Sequence, residues 1–407
     1  MGYDVIVVGA GPAGSTTARE CAARGLSTLL VDKAEFPRDK PCGGGVTIRA
    51  ARQLPFDLAP VIERTIRGVR FSLRQSRPFT RRGEVPLVYM TQRRHLDQYL
   101  LERAVAAGVT LRERAPVEAV AREGRRIAVR AGGESFEALA LVAADGANGR
   151  TAALVGIPSP RWMGVALEAN IAPSAGITAR WEDVFALDLG ALPGGYGWVF
   201  PKGDHVNVGV GGWTHTGPLL RATLDRVTRH YGLDPRDYQN LRGHRLPMRR
   251  PGAPLADGNV VLVGDAAGLL DPFTYEGIYA AIWSGRTAAE HLHAYLGGTA
   301  VDLAGYERQV ASELLPDLQI AGRIADLFEL TPRFYLQLAK LRPLGFRAMS
   351  RLALGEQTYA GMNRSLGPLS VGCDLTVDLL RTMPALQRCV DLADPRPPTR
   401  FFRAAVQ

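Results

Sequence analysis

The sequence has few cysteines and no long hydrophobic segment. Four cysteines among 407 residues are too few for a disulfide framework in a chain of this size, and no pair has zinc-ligand spacing. No apolar run approaches the roughly 18 residues needed to cross a bilayer. Because the N-terminus leads directly into a predicted strand, we expect no signal peptide and a cytoplasmic location. No metal site is predicted.

Features of nucleic-acid-binding proteins are also missing, despite a net charge of +9. Arginine dominates this charge, but there is no basic stripe with interleaved aromatics and no known binding module. Internal repeats and low-complexity segments are absent from the sequence as well. With 46% hydrophobic and 22% charged residues, the composition is that of a packed enzyme of two or three domains.

The N-terminal segment carries a dinucleotide-binding motif. An apolar run at residues 4–8 leads into Gly-x-Gly-x-x-Gly and then into a predicted helix. Such glycines permit a tight turn, close approach of the backbone to a diphosphate, and close packing of helix on strand. The helix N-terminus then favours the negative charge. A second apolar run ends at an acid that can bind the adenosine ribose. The residues assigned to the cofactor here are Gly9, Gly11, Pro12, Ala13, Gly14, Asp32 and Lys33.

Two further motifs indicate that the dinucleotide is FAD. Residues 259–263 form an apolar run that ends in Gly264 and Asp265, before a predicted helix. An Asp at such a turn can hold ribityl hydroxyls, and the helix N-terminus can point at the flavin. A third run ends at Asp145. In this order and spacing, the three motifs resemble the FAD-binding domain of the p-hydroxybenzoate hydroxylase-like flavoproteins. The resemblance implies that Arg93 reaches the FAD diphosphate. Cys42, Gly43, Gly44, Gly277 and Ile278 are also assigned to the cofactor.

We predict an α/β protein in which a Rossmann-type FAD-binding domain is interleaved with a sheet-rich substrate domain, followed by C-terminal helices. The patterns predict strands at Val184–Leu189, Gly195–Phe200 and Val206–Gly211, and a helix over 92–107. The expected bounds are 1–65, 91–158 and 255–300 for the FAD-binding domain, 66–90 and 159–254 for the substrate domain, and 301–407 for the helical region.

Two segments indicate an apolar substrate. Cys42 is followed by Gly43, Gly44 and Gly45, and three glycines in a row let the backbone lie flat against a ring or an alkyl chain. In the segment 193–201, aromatic residues alternate, so on a strand they project from one face. Such a wall suits an unsaturated apolar substrate, although ordinary core packing is the alternative. The aromatic residues are Tyr196, Trp198 and Phe200.

Together, the motifs at 41–45, 193–201 and 264–278 resemble the geranylgeranyl reductase family over roughly residues 1–300. The resemblance implies FAD-dependent saturation of carbon–carbon double bonds in an isoprenoid chain carried by a lipid, a quinone or a pigment precursor. It also implies that the three aromatic residues and the three glycines line the isoprenoid pocket. The electron donor is left open between NAD(P)H and a ferredoxin-like protein, because no second dinucleotide motif is present.

The proton required by such a reaction has several candidate donors. Cys42 and Tyr196 are the predicted catalytic residues, and flavin-bound water would serve equally. Cys42 can instead be a small residue that fills a tight loop, or it can pair with Cys373 in a reversible disulfide. Asp271 and Glu276 are expected to cap a helix start near the flavin and not to take part in catalysis.

Two other functions stay open at this point. One is a flavin monooxygenase or halogenase on the same scaffold, acting on an aromatic or polyketide substrate; halogenases of this shape have a Trp where this chain has Tyr196. The other is a non-enzymatic flavin sensor or lipid carrier.

The segment 330–355 has five basic residues and no acid between its two ends, mixed with aromatic and apolar residues. It suits an amphipathic region resting on anionic lipid, which would make the protein a peripheral membrane protein. The alternative is a helical region whose apolar face is ordinary core. Pro343 is expected to interrupt any single helix here.

Overall fold

The computed structural model describes residues 2–159, 161–172, 181–330, 332–341 and 344–365. The strands are β1 Gly2–Val8, β2 Thr28–Val31, β3 Gly45–Thr47, β4 Arg64–Ile66, β5 Gly68–Leu73, β6 Phe79–Arg82, β7 Val88–Met90, β8 Thr110–Arg112, β9 Val117–Glu123, β10 Arg126–Ala131, β11 Glu134–Ala143, β12 Arg161–Ile171, β13 Val184–Leu189, β14 Tyr196–Pro201, β15 Val206–Trp213, β16 Gln239–Arg249, β17 Ala256–Asp257 and β18 Val260–Leu262.

The α-helices are α1 Pro12–Ala23, α2 Ile48–Ala51, α3 Arg93–Ala106, α4 Thr151–Leu154, α5 Leu220–His230, α6 Ile278–Leu296, α7 Ala304–Glu313, α8 Leu315–Leu330, α9 Pro332–Leu341, α10 Leu344–Leu354 and α11 Tyr359–Ser365. The 3₁₀ turns are Ala59–Val61, Thr214–Leu219, Pro235–Asp237 and Gly264–Ala267. None of these helices is both long enough and apolar enough to cross a membrane.

The first sheet has the order β17-β18-β11-β1-β2-β8, and its central strands β11, β1 and β2 run parallel. Val5, Ile6 and Val7 in β1 are fully buried, as expected for a parallel sheet covered on both faces. Helices α1 and α6 pack closely against each other on one face. A side-chain carbon on Gly285 of α6 would lie 2.7 Å from the carbonyl oxygen of Ala13, so this glycine allows the close contact.

The second sheet has the order β16-β12-β15-β14-β13-β5-β6 and is antiparallel except where β13 pairs with β5. The predicted strands Val184–Leu189 and Val206–Gly211 are present, and the third lies one residue later than expected, at Tyr196–Pro201. Helix α5 covers one face, where Leu224 and Val227 are fully buried. A smaller sheet, β3-β7-β4, completes the fold. The predicted α/β class with C-terminal helices is confirmed; the domain bounds stay a prediction.

The C-terminal helices are anchored through helix α2. Asp317 of α8 is 3% exposed; it accepts an ion-pair contact from Arg49 at 3.3 Å and a hydrogen bond from the backbone N–H of Ala360 at 2.9 Å. Arg52 donates to the carbonyl oxygen of Leu354 at 2.6 Å. Helices α8, α10 and α11 are thereby held against the segment that follows the glycine motif at 41–45.

Candidate active site

The turn between β1 and α1 leaves no room for side chains. Gly9 has a φ of +102°, and a side-chain carbon on Gly14 would lie 1.7 Å from the carbonyl oxygen of Gly9. Helix α1 starts at Pro12. The residue before it, Gly11, has no side chain that accepts a hydrogen bond from the first N–H groups of the helix. Ala13 lines a large cavity immediately beyond the turn. Free N–H groups and the helix dipole therefore face that cavity, an arrangement that fits the diphosphate of FAD.

Asp32 lies at the end of β2, beside this turn. Its carboxylate accepts hydrogen bonds from the backbone N–H groups of Ala10 at 2.7 Å and Ala34 at 2.8 Å, and the residue is 8% exposed. The two bonds fix the carboxylate and leave lone pairs for ribose hydroxyls. Lys33, assigned to the cofactor with it, is exposed.

Arg93 forms a buried two-pronged ion pair with Asp97. Both hydrogen bonds, from Nε and Nη2, are 2.7 Å long, and Arg38 approaches the same carboxylate at 3.0 Å. Because two guanidinium groups share one carboxylate, the cluster retains positive charge next to the cavity that Arg93 lines. A side-chain carbon on Gly11 would lie 3.7 Å from Arg38. The positive charge therefore also borders the turn between β1 and α1, residues 9–14, which we call the glycine turn. The sequence did not single out Arg38.

The second flavin motif differs in part from the prediction. Gly264 and Asp265 begin a single 3₁₀ turn, which ends at Gly268 in the left-handed conformation, and the long helix α6 starts only at Ile278. The two ends of the motif still lie close together, since a side-chain carbon on Gly277 would lie 3.2 Å from Asp265 Oδ1. Lys40 lies 3.6 Å from the same carboxylate. The N-terminus of α6 is thus the helix end that borders Asp265.

Asp145 has a structural role that the sequence did not predict. Its Oδ2 accepts hydrogen bonds from the backbone N–H of Arg150 at 2.7 Å, and from the backbone N–H and hydroxyl of Thr151 at 2.8 and 2.7 Å. The carboxylate therefore caps α4. A contact between Asp145 and the cofactor would therefore be made by the other carboxylate oxygen, Oδ1.

The segment Pro41–Gly45, which we call the glycine loop, lies against the second sheet. A side-chain carbon on Gly43 would lie 2.6 Å from the ring of Phe200. Gly44 has a φ of +64°, and a side-chain carbon there would lie 2.1 Å from the carbonyl oxygen of Thr91. Gly45 has more room, with Val88 Cγ1 at 3.2 Å. At Gly43 and Gly44 any side chain would collide with the neighbouring atoms, so these two positions require glycine.

A buried lysine and a half-buried glutamate hold this loop, and the sequence predicted neither. Lys202, 3% exposed, donates to the carbonyl oxygens of Gly43 and of Thr91, the latter at 2.9 Å. Glu168 accepts a hydrogen bond from the backbone N–H of Cys42 at 2.8 Å. Burial lowers the pKa of Lys202 to about 8 and raises the pKa of Glu168 to about 7. The glycine loop is therefore clamped from both sides by groups that titrate near neutral pH.

The three aromatic residues do project from one face of β14. The ring centroids of Tyr196 and Trp198 are 6.1 Å apart, as are those of Trp198 and Phe200. All three line the cavity, and we call them the aromatic wall. Trp198 Nε1 donates to Asn207 at 2.7 Å, which satisfies the indole without exposing a polar group to the cavity. The wall presents an apolar surface opposite the glycine loop.

The predicted proton donors are in different situations. The Tyr196 hydroxyl donates to the carbonyl oxygen of Thr274, and burial raises its pKa. This proton is thus held by the backbone, and Tyr196 is a weak acid. Cys42 lines the cavity, and its sulfur accepts a hydrogen bond from the N–H of Gly44 at 3.4 Å. Cys373 lies outside the described residues, so its pairing with Cys42 stays a hypothesis.

Glu276 has the capping role expected of it, whereas Asp271 stabilises the turn that precedes the helix and caps no helix start. Asp271 accepts from the backbone N–H groups of Phe273 at 2.8 Å and Thr274 at 3.1 Å. Glu276 accepts from the backbone N–H of Tyr279, in the first turn of α6, at 2.7 Å. Both carboxylates support the turn that leads into the helix bordering Asp265. No group of three or more potential metal ligands occurs in the described chain.

These elements enclose a cavity of about 1320 Å³, lined by the glycine turn, the glycine loop, the aromatic wall and the C-terminal helices. A site for one small molecule typically has 300–1,000 Å³, so this volume suits a dinucleotide and a second ligand side by side. Leu336 of α9 and Phe346 and Met349 of α10 line it. Phe346 also belongs to a buried apolar cluster, and Leu336 and Met349 pack against it. Arg333 and Arg347 are exposed, and the contact of this segment with lipid stays a prediction.

A family profile described as "FAD binding domain" matches residues 2–310. The chain is 32% identical over 327 residues to a digeranylgeranylglycerophospholipid reductase of Thermoplasma acidophilum, covering 71% of this chain and 77% of that protein. It is 31% identical over 388 residues to a menaquinone reductase of Mycolicibacterium smegmatis, covering 87% and 92%. The chain belongs to the geranylgeranyl reductase family of FAD-dependent oxidoreductases. FAD is thus its cofactor, and the glycine turn, Asp32 and the Arg93 cluster fit it.

Solved structures agree with this assignment. A geranylgeranyl bacteriochlorophyll reductase-like protein from Thermoplasma acidophilum has a TM-score of 0.72 at 25% identity, covering 95% of this chain and 98% of that one. A flavin-dependent brominase has a TM-score of 0.73 at 21% identity, covering 94% and 99%, which shows the shared fold. The fold of the family therefore serves more than one flavin chemistry.

Glu168 should give the enzyme a distinct pH dependence of stability. Its pKa rises from 4.5 to about 7 on folding, so the stabilisation of its protonated form is complete below pH 4.5 and is lost as the pH rises to 7. This residue should account for a decrease of about 3 kcal/mol in the free energy of unfolding across that window. Glu168→Gln should remove the decrease, measured by urea unfolding at several pH values. Glu182→Gln, at an exposed position, is the control; equal pH slopes in Glu168→Gln and the parent would contradict the prediction.

Proposed function

We propose that the chain is an FAD-dependent reductase that saturates carbon–carbon double bonds of an isoprenoid chain. The observation that carries the proposal is the aromatic wall facing a flat glycine loop inside a cavity large enough for two ligands. Rings at regular spacing suit a long unsaturated hydrocarbon, and polar groups on the wall face away from it. The names of the relatives, a digeranylgeranylglycerophospholipid reductase and a menaquinone reductase, support the same substrate class.

The reaction adds one hydride and one proton across a double bond, so that two C–H bonds replace the π bond. The chemistry that reduced FAD supplies when bound is transfer of the hydride with both electrons. The chain's own contribution is to hold the alkene in an apolar, sheltered position along the wall and beside the loop. Lys202 and Glu168 fix the loop by its backbone, which sets the distance between the two surfaces. The proton comes from a group that lines the cavity or from bound water. Cys42 and Tyr196 both line it, and we propose Cys42 because the Tyr196 hydroxyl donates to a backbone carbonyl.

Turnover under anaerobic conditions tests the proposal. The holoenzyme, reduced with dithionite so that no natural electron donor is needed, is incubated with geranylgeranyl lipids and with a prenylated quinone. Mass spectrometry should show a gain of two hydrogens per reduced bond. No gain without oxygen, together with an added oxygen or halogen on aromatic substrates in air, would favour a monooxygenase or halogenase. The natural donor, NAD(P)H or a ferredoxin-like protein, is then found by replacing dithionite.

The aromatic wall should be required for this activity. Trp198→Leu removes the central ring of the wall and should lower turnover of an isoprenoid about tenfold or more, because the substrate loses its defined position. Trp162→Leu is the matched control, since Trp162 lies on β12 and does not line the cavity. Equal activity of the two variants, both retaining FAD, would show that the wall does not hold the substrate.

We also propose that the enzyme contacts a membrane surface peripherally. The exposed residues Arg333, Lys340, Arg347 and Arg351 lie on helices α9 and α10, whose inward side chains line the cavity. Attraction to anionic lipid, about 1 kcal/mol per basic residue, would bring the cavity close to a lipid-borne substrate. Sedimentation with vesicles that contain or lack anionic lipid tests this contact.

A further inference from the structure

The cavity reaches solvent beside a group of basic side chains. Arg74, in the turn after β5, His215, in the 3₁₀ turn after β15, and Arg226, on α5, line the cavity and are exposed. Leu219, on the same side, is 52% exposed. We call these four residues the basic rim. We propose that the basic rim binds the phosphate-bearing headgroup of the substrate while its isoprenoid tail lies in the cavity. The inference rests on the proposed function and names the headgroup chemistry of that site.

The turn that carries Arg74 is unusual and firmly held. Arg74 and Gln75 have φ values of 48° and 61°, and the N–H of Ser76 donates to the carbonyl oxygen of Leu73 at 2.9 Å. Two successive non-glycine residues in the left-handed region are energetically unfavourable, because the side chain approaches the following carbonyl oxygen. The fully buried Asp188 offsets that cost, because it accepts from the backbone N–H of Gln75 at 2.9 Å. The chain thus maintains a strained turn that places Arg74 at the cavity.

The other members of the rim are carried by elements that are joined to the Arg74 turn through the segment 190–195 and the second sheet. A side-chain carbon on Gly190 would lie 3.6 Å from Arg74 Nε. Leu192, two residues further on, packs in the apolar cluster formed with helix α5. At the end of that helix, the hydroxyl of Tyr231 lies 2.8 Å from the hydroxyl of Ser72 on β5. The segment 190–195 therefore joins the Arg74 turn to the helix that carries Arg226.

The rim has a consistent charge. Among the described residues of the turn after β5, the segment 189–195, the 3₁₀ turn and α5, those that line the cavity include no acid. Helix α8 also contributes Asp317, Arg323 and Glu329 to the cavity lining; Asp317 is paired with Arg49, and the other two bring one charge of each sign. The net charge at the opening is positive, and guanidinium groups match the oxygens of a phosphate. An alcohol or a quinone headgroup carries no negative charge that could pair with these guanidinium groups.

The rim also lies at a suitable end of the aromatic wall. Leu189 pairs with Tyr196 across β13 and β14, so the wall begins where the segment 190–195 leaves the sheet. It ends four residues later at Phe200, about 13 Å away at 3.3–3.4 Å per residue, beside the glycine loop. A headgroup held at the rim would direct its tail along the wall toward the flavin.

Binding to the oxidised holoenzyme tests the inference independently of turnover. The probes are geranylgeranyl diphosphate, digeranylgeranylglycerol phosphate and geranylgeraniol, titrated by calorimetry at low salt, with inorganic diphosphate as a competitor. We expect at least one phosphate-bearing probe to bind tenfold or more tightly than the alcohol; which one does identifies a free diphosphate or a phospholipid. The double variant Arg74→Gln/Arg226→Gln should lose about tenfold in affinity for that probe and none for the alcohol. Arg229→Gln, an exposed change on the same helix outside the cavity, should change neither.

The outcomes separate the two proposals. Two results would contradict phosphate binding at the basic rim. One is equal affinity of the parent for the alcohol and both phosphates, and the other is an equal loss of affinity for all three in the double variant. Preferential phosphate binding that the double variant abolishes would support the rim even if no probe is reduced, and in that case the reductase function would be wrong. The enzyme could also reduce the alcohol and a prenylated quinone while the double variant keeps its affinity for the phosphates. That result would support the reductase function and contradict phosphate binding at the basic rim.

Discussion

Replacing Gly43 with alanine is expected to lower isoprenoid turnover about a hundredfold while leaving the protein folded. The added methyl carbon would lie 2.6 Å from the ring of Phe200, so the glycine loop or the ring must move. Gly43 does not have a positive φ, and space alone decides the effect. A displacement of about 1 Å at a reacting centre costs on the order of 10²-fold in rate. Anaerobic turnover of a geranylgeranyl lipid, with FAD content measured by absorbance, checks the prediction.

A second substitution shows whether the contact with Phe200 is the cause. Phe200→Ala removes the ring atoms that the methyl group would meet, so Gly43→Ala/Phe200→Ala should be more active than Gly43→Ala alone. Gly45→Ala is the matched control, because the nearest atom to its methyl group would be Val88 Cγ1 at 3.2 Å, compared with 2.6 Å at Gly43. If the double variant is no more active than the single one, the loop is sensitive for another reason, such as direct contact with a ligand.

Replacing Arg93 with glutamine should have the largest effect on stability. Asp97 is fully buried and would keep only the single contact with Arg38. Removing one partner of a buried ion pair costs about 3–5 kcal/mol, because the other charge is left without its partner in a dry site. If Arg93 also reaches the diphosphate, FAD affinity should decrease by tenfold or more, as expected for a hydrogen bond to a charged group.

Urea unfolding and flavin fluorescence titration measure the two effects separately. Arg94→Gln is the control, since Arg94 is the adjacent residue of α3 and is exposed. A loss of stability with unchanged FAD affinity would give Arg93 a structural role only. Unchanged stability would mean that Arg38 alone is enough to hold Asp97.

The parts of the site that could be predicted from the sequence are those made by neighbouring residues. The turn at Gly9–Gly14 and the aromatic wall each lie within a few residues, so a fixed spacing reveals them. Glu168 and Lys202 act on the glycine loop from strands more than a hundred residues away in the chain. Nothing in their local sequence distinguishes them, although a lone Glu within an apolar strand, as at 165–169, is a weak signal.

One motif has a structural partner that the sequence did not predict. Asp145 follows a strand as a flavin ligand would, yet its carboxylate caps α4, because the short helix that begins at Thr151 has its N–H groups within reach. A carboxylate after a strand can serve a ligand or a helix equally well, and only the path of the following residues decides between them. The basic rim was not predicted, because Arg74, His215 and Arg226 come together only through the packing of the sheet against α5.

The uniformity of the aromatic wall has a consequence for the product. Between Tyr196 and Phe200 the rings repeat at 6.1 Å, and the polar atom of Trp198 is turned to Asn207, so no hydrogen-bonding group of that ring marks a depth along the surface. Apolar surfaces distinguish one methylene more or less by only about 1–3 kcal/mol. An oligomer of identical units can therefore slide by one unit and find nearly the same fit. If the chain reduces isoprenoids as proposed, we expect it to act on successive units of one bound molecule and to yield a graded series of partly saturated tails, with the headgroup setting where the sliding stops.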